Sequence, residues 1–177
     1  MIDKVSLRAT LRARRAAFAP AAPIAVDPRF LALLAPGAVV ASYVPVGGEA
    51  DPAPLARAAL ASGCTLALPH VVDRATPLRF LPWAEEMALE AGPFGLRQPA
   101  PDANALAPDV VLTPLVGFDR ARNRLGQGAG HYDRAFVDFP AAHRIGVAWS
   151  VQEVPILPAD PWDVPLHAIA TEKEWIA

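Results

Sequence analysis

Apolar runs bounded by glycine or proline alternate along the chain with amphipathic stretches. The apolar, often β-branched runs predict strands at residues 38–44, 65–69, 78–83, 109–115, 144–150 and 167–172. Apolar spacing and helix-end residues predict helices at 3–18, 27–34, 51–63 and 131–139, whereas 85–90 fits either a helical turn or part of a hairpin. Strands that alternate with helices predict an α/β fold, a three-layer α/β/α sandwich around a mostly parallel sheet.

The first predicted helix carries two stripes of side chains. Asp3 is placed to cap its N-terminus. The apolar stripe consists of Leu7, Leu11 and Phe18, and the basic stripe beside it of Lys4, Arg8, Arg12 and Arg15. The apolar stripe predicts that the helix docks on the body of the protein and presents its first turn to a ligand. We expect Arg12 and Arg15, farther along the helix, to lie too far from phosphate groups of that ligand to contribute as much.

Length, charge and cysteine content restrict the class of protein. The 177 residues predict one domain spanning 1–177. A net charge of −2 provides no basic field for nucleic acid or an anionic membrane, and no apolar stretch of transmembrane length is free of proline and charge. The one cysteine, Cys64, excludes an internal disulfide, and its apolar context predicts a buried structural thiol. We expect a cytoplasmic monomer, although the Arg-rich N-terminus also fits a transit peptide.

A polar segment, "NRLGQGAGHYDR" at 123–134, follows the most apolar predicted strand. Its three glycines, Gly126, Gly128 and Gly130, allow successive backbone N–H groups to converge on an anion. Arg124 adds a planar charged fork suited to phosphate, and the helix that follows turns its positive end toward the same point. Asp133 has the right sign for a Mg²⁺ that bridges phosphates. The alternative is a loop whose glycines only satisfy positive φ angles, and neither the Walker nor the GxGxxG fingerprint is present.

The longer segment "TPLVGFDRARNRLGQGAGHYDR" resembles the signature of the 5-formyltetrahydrofolate cyclo-ligase (5,10-methenyltetrahydrofolate synthetase) family. Four further segments are similar to that family in the same order: "DKVSLR", "YVPVGGEADPAPL", "GPFGLRQP" and "GVAWSVQEVPILPADPWDVPLHAIATE". The resemblance therefore runs from Lys4 to Glu172. It implies an ATP-dependent, Mg²⁺-requiring closure of 5-formyltetrahydrofolate to 5,10-methenyltetrahydrofolate, with release of ADP and phosphate, on a three-layer α/β sandwich.

The resemblance also implies roles for individual residues. ATP would be bound by Lys4, Arg8, Arg124, Leu125, Gly126, Gln127, Gly128, Ala129, Gly130, His131 and Tyr132. The folate would be bound by Val44, Glu49, Phe94 and the inner loop residues Gln127 to His131. Asp133 and Asp163 would serve Mg²⁺, and Arg124 would act in catalysis. Phosphoryl transfer needs mainly positioning and charge neutralisation, and this set of residues supplies both.

Several alternatives remain open at this point. The chain departs from the family pattern at Arg122, Gln127, Ala129, His131 and Trp162. An intact phosphate-binding set with an altered substrate rim would also fit a paralogue on the same scaffold, for example in thiamin-related metabolism. A non-catalytic nucleic-acid binder that uses the basic helix is disfavoured by the net charge. Glu49 fits either a folate ligand or a cap of the helix near Asp51, and Asp163 fits either a metal ligand or an ordinary loop carboxylate.

Overall fold

The elements follow the predicted order, with short additions. The structure is a computed structural model that describes residues 3–177. Its helices are α1 (Lys4–Ala16), α2 (Pro28–Leu31), α3 (Ala53–Ala61) and α4 (His131–Asp138), with 3₁₀ turns at Pro93–Gly95 and Ser150–Gln152. Its strands are β1 (Val39–Ala41), β2 (Thr65–His70), β3 (Arg79–Pro82), β4 (Glu90–Ala91), β5 (Arg97–Gln98), β6 (Val110–Pro114), β7 (Gly117–Phe118), β8 (Arg124–Leu125), β9 (His143–Val147), β10 (Ala168–Ala170) and β11 (Trp175–Ile176).

Seven strands form one sheet in the order β11-β10-β9-β6-β1-β2-β3. The five central strands pair in parallel, whereas β3 and β11 pair antiparallel at the two edges. The mostly parallel sheet predicted from the sequence is therefore confirmed. The hairpins β4–β5 and β7–β8 form separate two-stranded sheets. Residues 85–90 contain no helix, and Glu90, the last of them, begins the first of these hairpins.

Helices cover both faces of the large sheet because its strands are apolar on both sides. Val40 and Leu66 lie in one core cluster with residues of α2 and α3, including Phe30 and Leu55. Their neighbours along the strands, among them Ala41 and Ala67, lie in a second cluster with Phe136 of α4. Successive strand residues therefore face opposite layers, which confirms the α/β/α sandwich. None of the helices within 3–177 is long and apolar enough to cross a membrane.

Helix α1 packs beside the β7–β8 hairpin. Asp3 caps it, since its Oδ2 accepts a hydrogen bond from the Ser6 N–H at 3.1 Å. Leu11 is fully buried in a third core cluster, and a Cβ at Gly117 would lie only 2.4 Å from Leu11 Cδ1. The apolar stripe thus docks the helix as predicted. The helix ends at Ala16, before Phe18, whose ring packs on Trp149 at 5.9 Å between centroids.

Candidate active site

A cavity of about 1230 Å³ opens at the carboxyl ends of β1, β2 and β6. Open α/β sheets place their ligands at this edge. The segments that follow the strands, the basic stripe of α1 and the glycine loop 124–130 all line it. The cavity is also lined by every site residue predicted from the sequence: Lys4, Arg8, Val44, Glu49, Phe94, Arg124, Leu125, Gly126, Gln127, Gly128, Ala129, Gly130, His131, Tyr132, Asp133 and Asp163. Residues distant in sequence therefore meet in one place.

The glycines of the loop are needed for two different structural reasons, a left-handed backbone and a close side-chain approach. Gly128 and Gly130 have φ angles of +104° and +68°, which strongly favour glycine, and Gly130 leads directly into α4. A Cβ at Gly126 would lie 2.7 Å from Nη1 of Arg124, so glycine lets that guanidinium approach the backbone closely. The guanidinium of Arg8 lies 3.6–3.9 Å from the position of a Cβ at Gly128. The loop therefore runs between two arginine side chains.

Arg124, at the start of β8, is held in place by several contacts. Only 5% of its side chain is exposed, and its Nη2 donates to Asp133 Oδ1 at 2.6 Å. Its guanidinium lies 5.9 Å and 5.6 Å from the ring centroids of Tyr132 and Phe136. Within residues 3–177 its buried Nε has no acceptor. Such a preorganised cation, with a donor to spare, is suited to an anionic ligand.

The first turn of α1 brings two more cations to the cavity. Arg8 Nε donates to the Gly126 carbonyl at 2.8 Å. Lys4 Nζ lies between two carboxylates, at 2.6 Å from Asp160 Oδ2 and 2.8 Å from Asp163 Oδ2. Burial by itself lowers the pKa of Lys4, but the hydrogen bonds that Lys4 donates to both carboxylates outweigh it and raise the pKa above its ordinary value. Lys4 is therefore a fully charged group at neutral pH.

A chain of hydrogen bonds joins α1, the glycine loop and Glu49. Arg12 Nη2 donates to Gln127 Oε1 at 2.6 Å, and Gln127 Nε2 donates to Glu49 Oε1 at 3.2 Å. The other oxygen of Glu49 accepts the Val46 N–H at 3.1 Å. Burial raises the pKa of Glu49, although the hydrogen bonds from Val46 and Gln127 and the charge of Arg15 oppose that shift. Glu49 is thus a partly desolvated acceptor that faces the cavity.

The geometry excludes one of the two alternatives for Glu49 and shows how far along α1 the cavity extends. Glu49 does not cap α3, since Asp51 Oδ1 accepts the Ala53 N–H of its first turn at 2.9 Å. Arg12 and Arg15 line the cavity together with Lys4 and Arg8, and Arg12 bonds to the glycine loop itself. The helix crosses the cavity along its length, so the whole basic stripe reaches it.

The side of the cavity near Phe94 is aromatic and basic. Phe94 has a left-handed φ of 60° and is 55% exposed, and its ring centroid lies 6.4 Å from that of His131. The guanidinium of Arg74 lies 5.6 Å from the same ring. His131 Nε2 is 2.8 Å from the carbonyl oxygen of Asp73, which fixes the ring at the start of α4. This wall can contact a flat ligand.

The carboxylates of the cavity form a sparse donor set for a metal. Residues 3–177 hold no group of three or more His, Cys, Asp or Glu side chains arranged around one point. Asp133 Oδ2 and Asp163 Oδ1 make no hydrogen bond in this part of the chain, although the second oxygen of each carboxylate is bonded to a cation. Mg²⁺ is commonly held by one or two carboxylates together with substrate phosphates and water. The donor set fits that mode and no all-protein cage.

Several residues of the site were not identified from the sequence. Asp119, only 2% exposed, accepts the backbone N–H groups of Asn123 and Leu157 at 3.1 Å and 2.9 Å and so fixes the entry to the loop. Arg134 Nη1 donates to the Ala129 carbonyl at 3.0 Å. Asp160 shares Lys4 with Asp163. Asp119 and Arg134 both lie inside the quoted motif, and Asp160 lies in the quoted C-terminal segment, but the sequence pattern indicated no role for any of the three.

Comparison with known proteins agrees with this geometry. The family model described as the 5-formyltetrahydrofolate cyclo-ligase family matches residues 1–172. The 5-formyltetrahydrofolate cyclo-ligase of Escherichia coli K12 is 33% identical over 144 residues, which are 77% of this chain and 79% of the relative. The enzyme of that name from Mycolicibacterium smegmatis is 35% identical over 148 residues, 79% and 76% of the two chains.

Two solved structures have the same fold. The 5,10-methenyltetrahydrofolate synthetase from Mycoplasma pneumoniae superimposes with a TM-score of 0.69 at 26% identity, covering 95% of this chain and 98% of its own. The 5,10-methenyltetrahydrofolate synthetase of Aquifex aeolicus gives a TM-score of 0.71 at 26% identity, covering 97% and 91%. The sequence match over nearly the whole length and the shared fold lead to one conclusion: this chain belongs to the 5-formyltetrahydrofolate cyclo-ligase family.

Proposed function

We propose that this protein catalyses the ATP-dependent closure of 5-formyltetrahydrofolate to 5,10-methenyltetrahydrofolate, releasing ADP and phosphate. The observation that carries the proposal is the meeting of four features in one cavity: the glycine loop, Lys4 and Arg8 of α1, Arg124 of β8, and the carboxylate of Glu49. The cations and loop suit a polyphosphate, and the carboxylate suits a ligand rich in N–H donors. One cavity for both ligands is what a transfer between them requires.

The ATP phosphates are assigned to the glycine loop. Arg124 faces them from within the domain, and Arg8 and Lys4 face them from α1. Arg124 is the proposed catalytic residue, since its fixed fork neutralises charge on the phosphoryl group as that group moves. The left-handed Gly128 and Gly130 favour backbone N–H groups turned toward an anion just before α4, whose positive end adds to the attraction.

The chemistry follows from the poor leaving ability of the formyl oxygen. Attack of that oxygen on the γ-phosphorus forms a P–O bond and breaks the bond to ADP. N10 then attacks the activated formyl carbon and loses its proton, and the C–O bond breaks to release inorganic phosphate. No protein nucleophile is needed, so positioning and charge neutralisation are the tasks of the cavity residues.

The folate is assigned to the side of the cavity that holds Glu49. An ionised Glu49 accepts hydrogen bonds from pterin N–H groups, Val44 contacts the ring system, and Phe94 with His131 forms the aromatic border. The residues from Gln127 to His131 lie between the two substrates. In the free protein Gln127 donates to Glu49, so an N–H group of the folate would replace Gln127 as a donor to this carboxylate.

Mg²⁺ is assigned to the phosphate side, with Asp133 and Asp163 as its protein ligands. It would supply further neutralisation of the phosphate charge. Each carboxylate is paired with a cation, Asp133 with Arg124 and Asp163 with Lys4. The other oxygen of each carboxylate makes no hydrogen bond within residues 3–177 and would be the atom that holds the metal.

The direct test combines purified protein, Mg-ATP and 5-formyltetrahydrofolate and follows the absorbance of the methenyl product. The expected result is product formation that needs ATP, with one phosphate released for each ring closed. Omitting ATP, or replacing it with a non-hydrolysable analogue, is the matched control. A protein that binds both ligands without forming the chromophore would favour the paralogue with a different substrate.

A further inference from the structure

We propose that Arg15 is a positioning residue for Glu49, so that α1 serves the folate as well as the phosphates. The inference rests on the proposed function, in which Glu49 is the folate acceptor. It concerns a residue of α1 whose position in the sequence predicts that it lies far from the phosphates. Its basis is the contact between Arg15 and the turn that carries Glu49.

Arg15 is an unusual buried charge. It is 6% exposed, lines the cavity, and donates from Nη2 to the Gly47 carbonyl at 3.0 Å, with a longer 3.5 Å contact from Nη1 to the Leu115 carbonyl. Its buried Nε has no acceptor within residues 3–177. Both partners are neutral carbonyls, so no carboxylate is bonded to the guanidinium to balance its charge. Burying an uncompensated cation is costly, which points to a role beyond anchoring the helix.

The turn at 46–49 is fixed from several directions. Glu49 closes it twice, with its N–H donating to the Val46 carbonyl at 3.2 Å and its Oε2 accepting the Val46 N–H at 3.1 Å. Trp149 Nε1 donates to the Gly48 carbonyl at 3.2 Å. Gly47 and Gly48 both have left-handed φ angles, of +57° and +78°. The buried guanidinium of Arg15 donates to the Gly47 carbonyl, and it is the positively charged group among these contacts to the turn.

That charge acts on Glu49 through space. Burial raises the pKa of Glu49, and the positive charge of Arg15 opposes this. The other polar and titratable groups that bear on the carboxylate are Gln127, Tyr43, Tyr132, and Arg12 through Gln127. Removing the positive charge of Arg15 would therefore raise the pKa of Glu49 further. On acidification, Glu49 of such a variant would therefore become protonated at a higher pH than in the wild type, and its ionised, hydrogen-bond-accepting form would be lost earlier.

The test compares Arg15→Gln, Arg15→Lys and the control Arg14→Gln, which removes the same charge from an exposed neighbour on α1. Arg15→Gln should raise the KM for 5-formyltetrahydrofolate about tenfold, the scale of a lost charged contact, and leave the KM for ATP within about twofold. As the pH is lowered, the folate KM of Arg15→Gln should begin to rise at a higher pH than that of the wild type. Arg15→Lys should raise the folate KM about threefold and keep the wild-type pH profile, since its charge is retained. Arg14→Gln should match the wild type.

Two results would overturn the proposal. An equal rise in both KM values, together with a lower melting temperature, would make Arg15 a structural anchor of α1. An unchanged pH profile in Arg15→Gln would remove its link to Glu49. If Arg15→Gln does not fold, the test rests on Arg15→Lys: a rise in the folate KM without a rise in the ATP KM supports the proposal, and an equal rise in both refutes it. Folate affinity is also measured by fluorescence without ATP, so that binding is tested separately from the reaction. A wild-type protein that binds folate but does not close the ring would refute the proposed reaction and leave the role of Arg15 to be judged from folate affinity.

Discussion

Replacing Arg124 by lysine tests whether the glycine loop acts on a moving phosphoryl group. Lysine keeps the positive charge and a partner in Asp133, but it loses the planar fork and the stacking on Tyr132 and Phe136. Removing one preorganised donor typically costs about 3 kcal/mol of transition-state stabilisation, or roughly a hundredfold in rate. Since the charge remains, we expect Arg124→Lys to lower kcat/KM for ATP by about tenfold and Arg124→Ala by about a hundredfold.

The same substitutions affect stability by a separate and smaller amount. Arg124→Ala breaks a pair in which 5% of the arginine and 24% of the aspartate side chain are exposed. Because Asp133 keeps some water, we expect a loss of about 2 kcal/mol, below the range for fully buried pairs. For a chain of this size that is a fall in melting temperature of roughly 4–8 °C. Kinetic assays well below the transition therefore report on catalysis alone.

The matched control for Arg124→Lys is Arg120→Lys. Arg120 is 57% exposed and binds Glu153 and Glu174 at 2.9 Å and 2.6 Å, outside the cavity. Its replacement should change kcat/KM for ATP by less than about twofold, as exposed ion pairs contribute little. If Arg124→Lys turned over as fast as Arg120→Lys at saturating folate, the loop would be a structural feature and the catalytic assignment would fail.

Three further substitutions test the phosphate side. The double change Lys4→Ala, Arg8→Ala should raise the KM for ATP at least about tenfold, while the melting temperature falls only about 2–4 °C because the Lys4 ion pairs are partly exposed. Asp133→Asn should raise the Mg²⁺ concentration needed for half-maximal rate, and undiminished activity in metal-free buffer would contradict the metal assignment. Gly128→Ala, at a φ of +104°, should weaken ATP binding in calorimetry by about tenfold through strain of about 1–3 kcal/mol in the loop.

The sheet was predictable because its strands bury both faces and so appear as short apolar runs. The two-residue strands were not predictable, since their pairing depends on partners far away in the chain. Trp175 and Ile176 form an edge strand only because β10 offers them a free side. Gly117 pairs with Leu125 across a turn that buried Asp119 organises. Neither pair is long enough to show a period of two in the sequence.

The candidate site was predictable where its chemistry is local. The three glycines lie close together in sequence, between Arg124 and a helix, so the sequence itself indicates a phosphate-binding loop. The contribution of α1 depended on its orientation, which periodicity does not specify. Residues 4 and 15 share one face but lie about 16 Å apart along the axis. A helix that approached the cavity end-on would bring only its first turn to the ligand.

The orientation of α1 gives its basic stripe a further meaning. Its four cations contact four successive parts of the cavity: Lys4 reaches Asp160 and Asp163, Arg8 the Gly126 carbonyl, Arg12 the side chain of Gln127, and Arg15 the Gly47 carbonyl. In the proposed function the first two positions belong to the phosphates and the last to the folate. Phosphoryl transfer requires the formyl oxygen and the γ-phosphorus to be held in line, at a fixed distance. A single helix that touches both binding regions sets that distance by its own rise per residue, so a change at either end of α1 is felt in the relative placement of the two substrates.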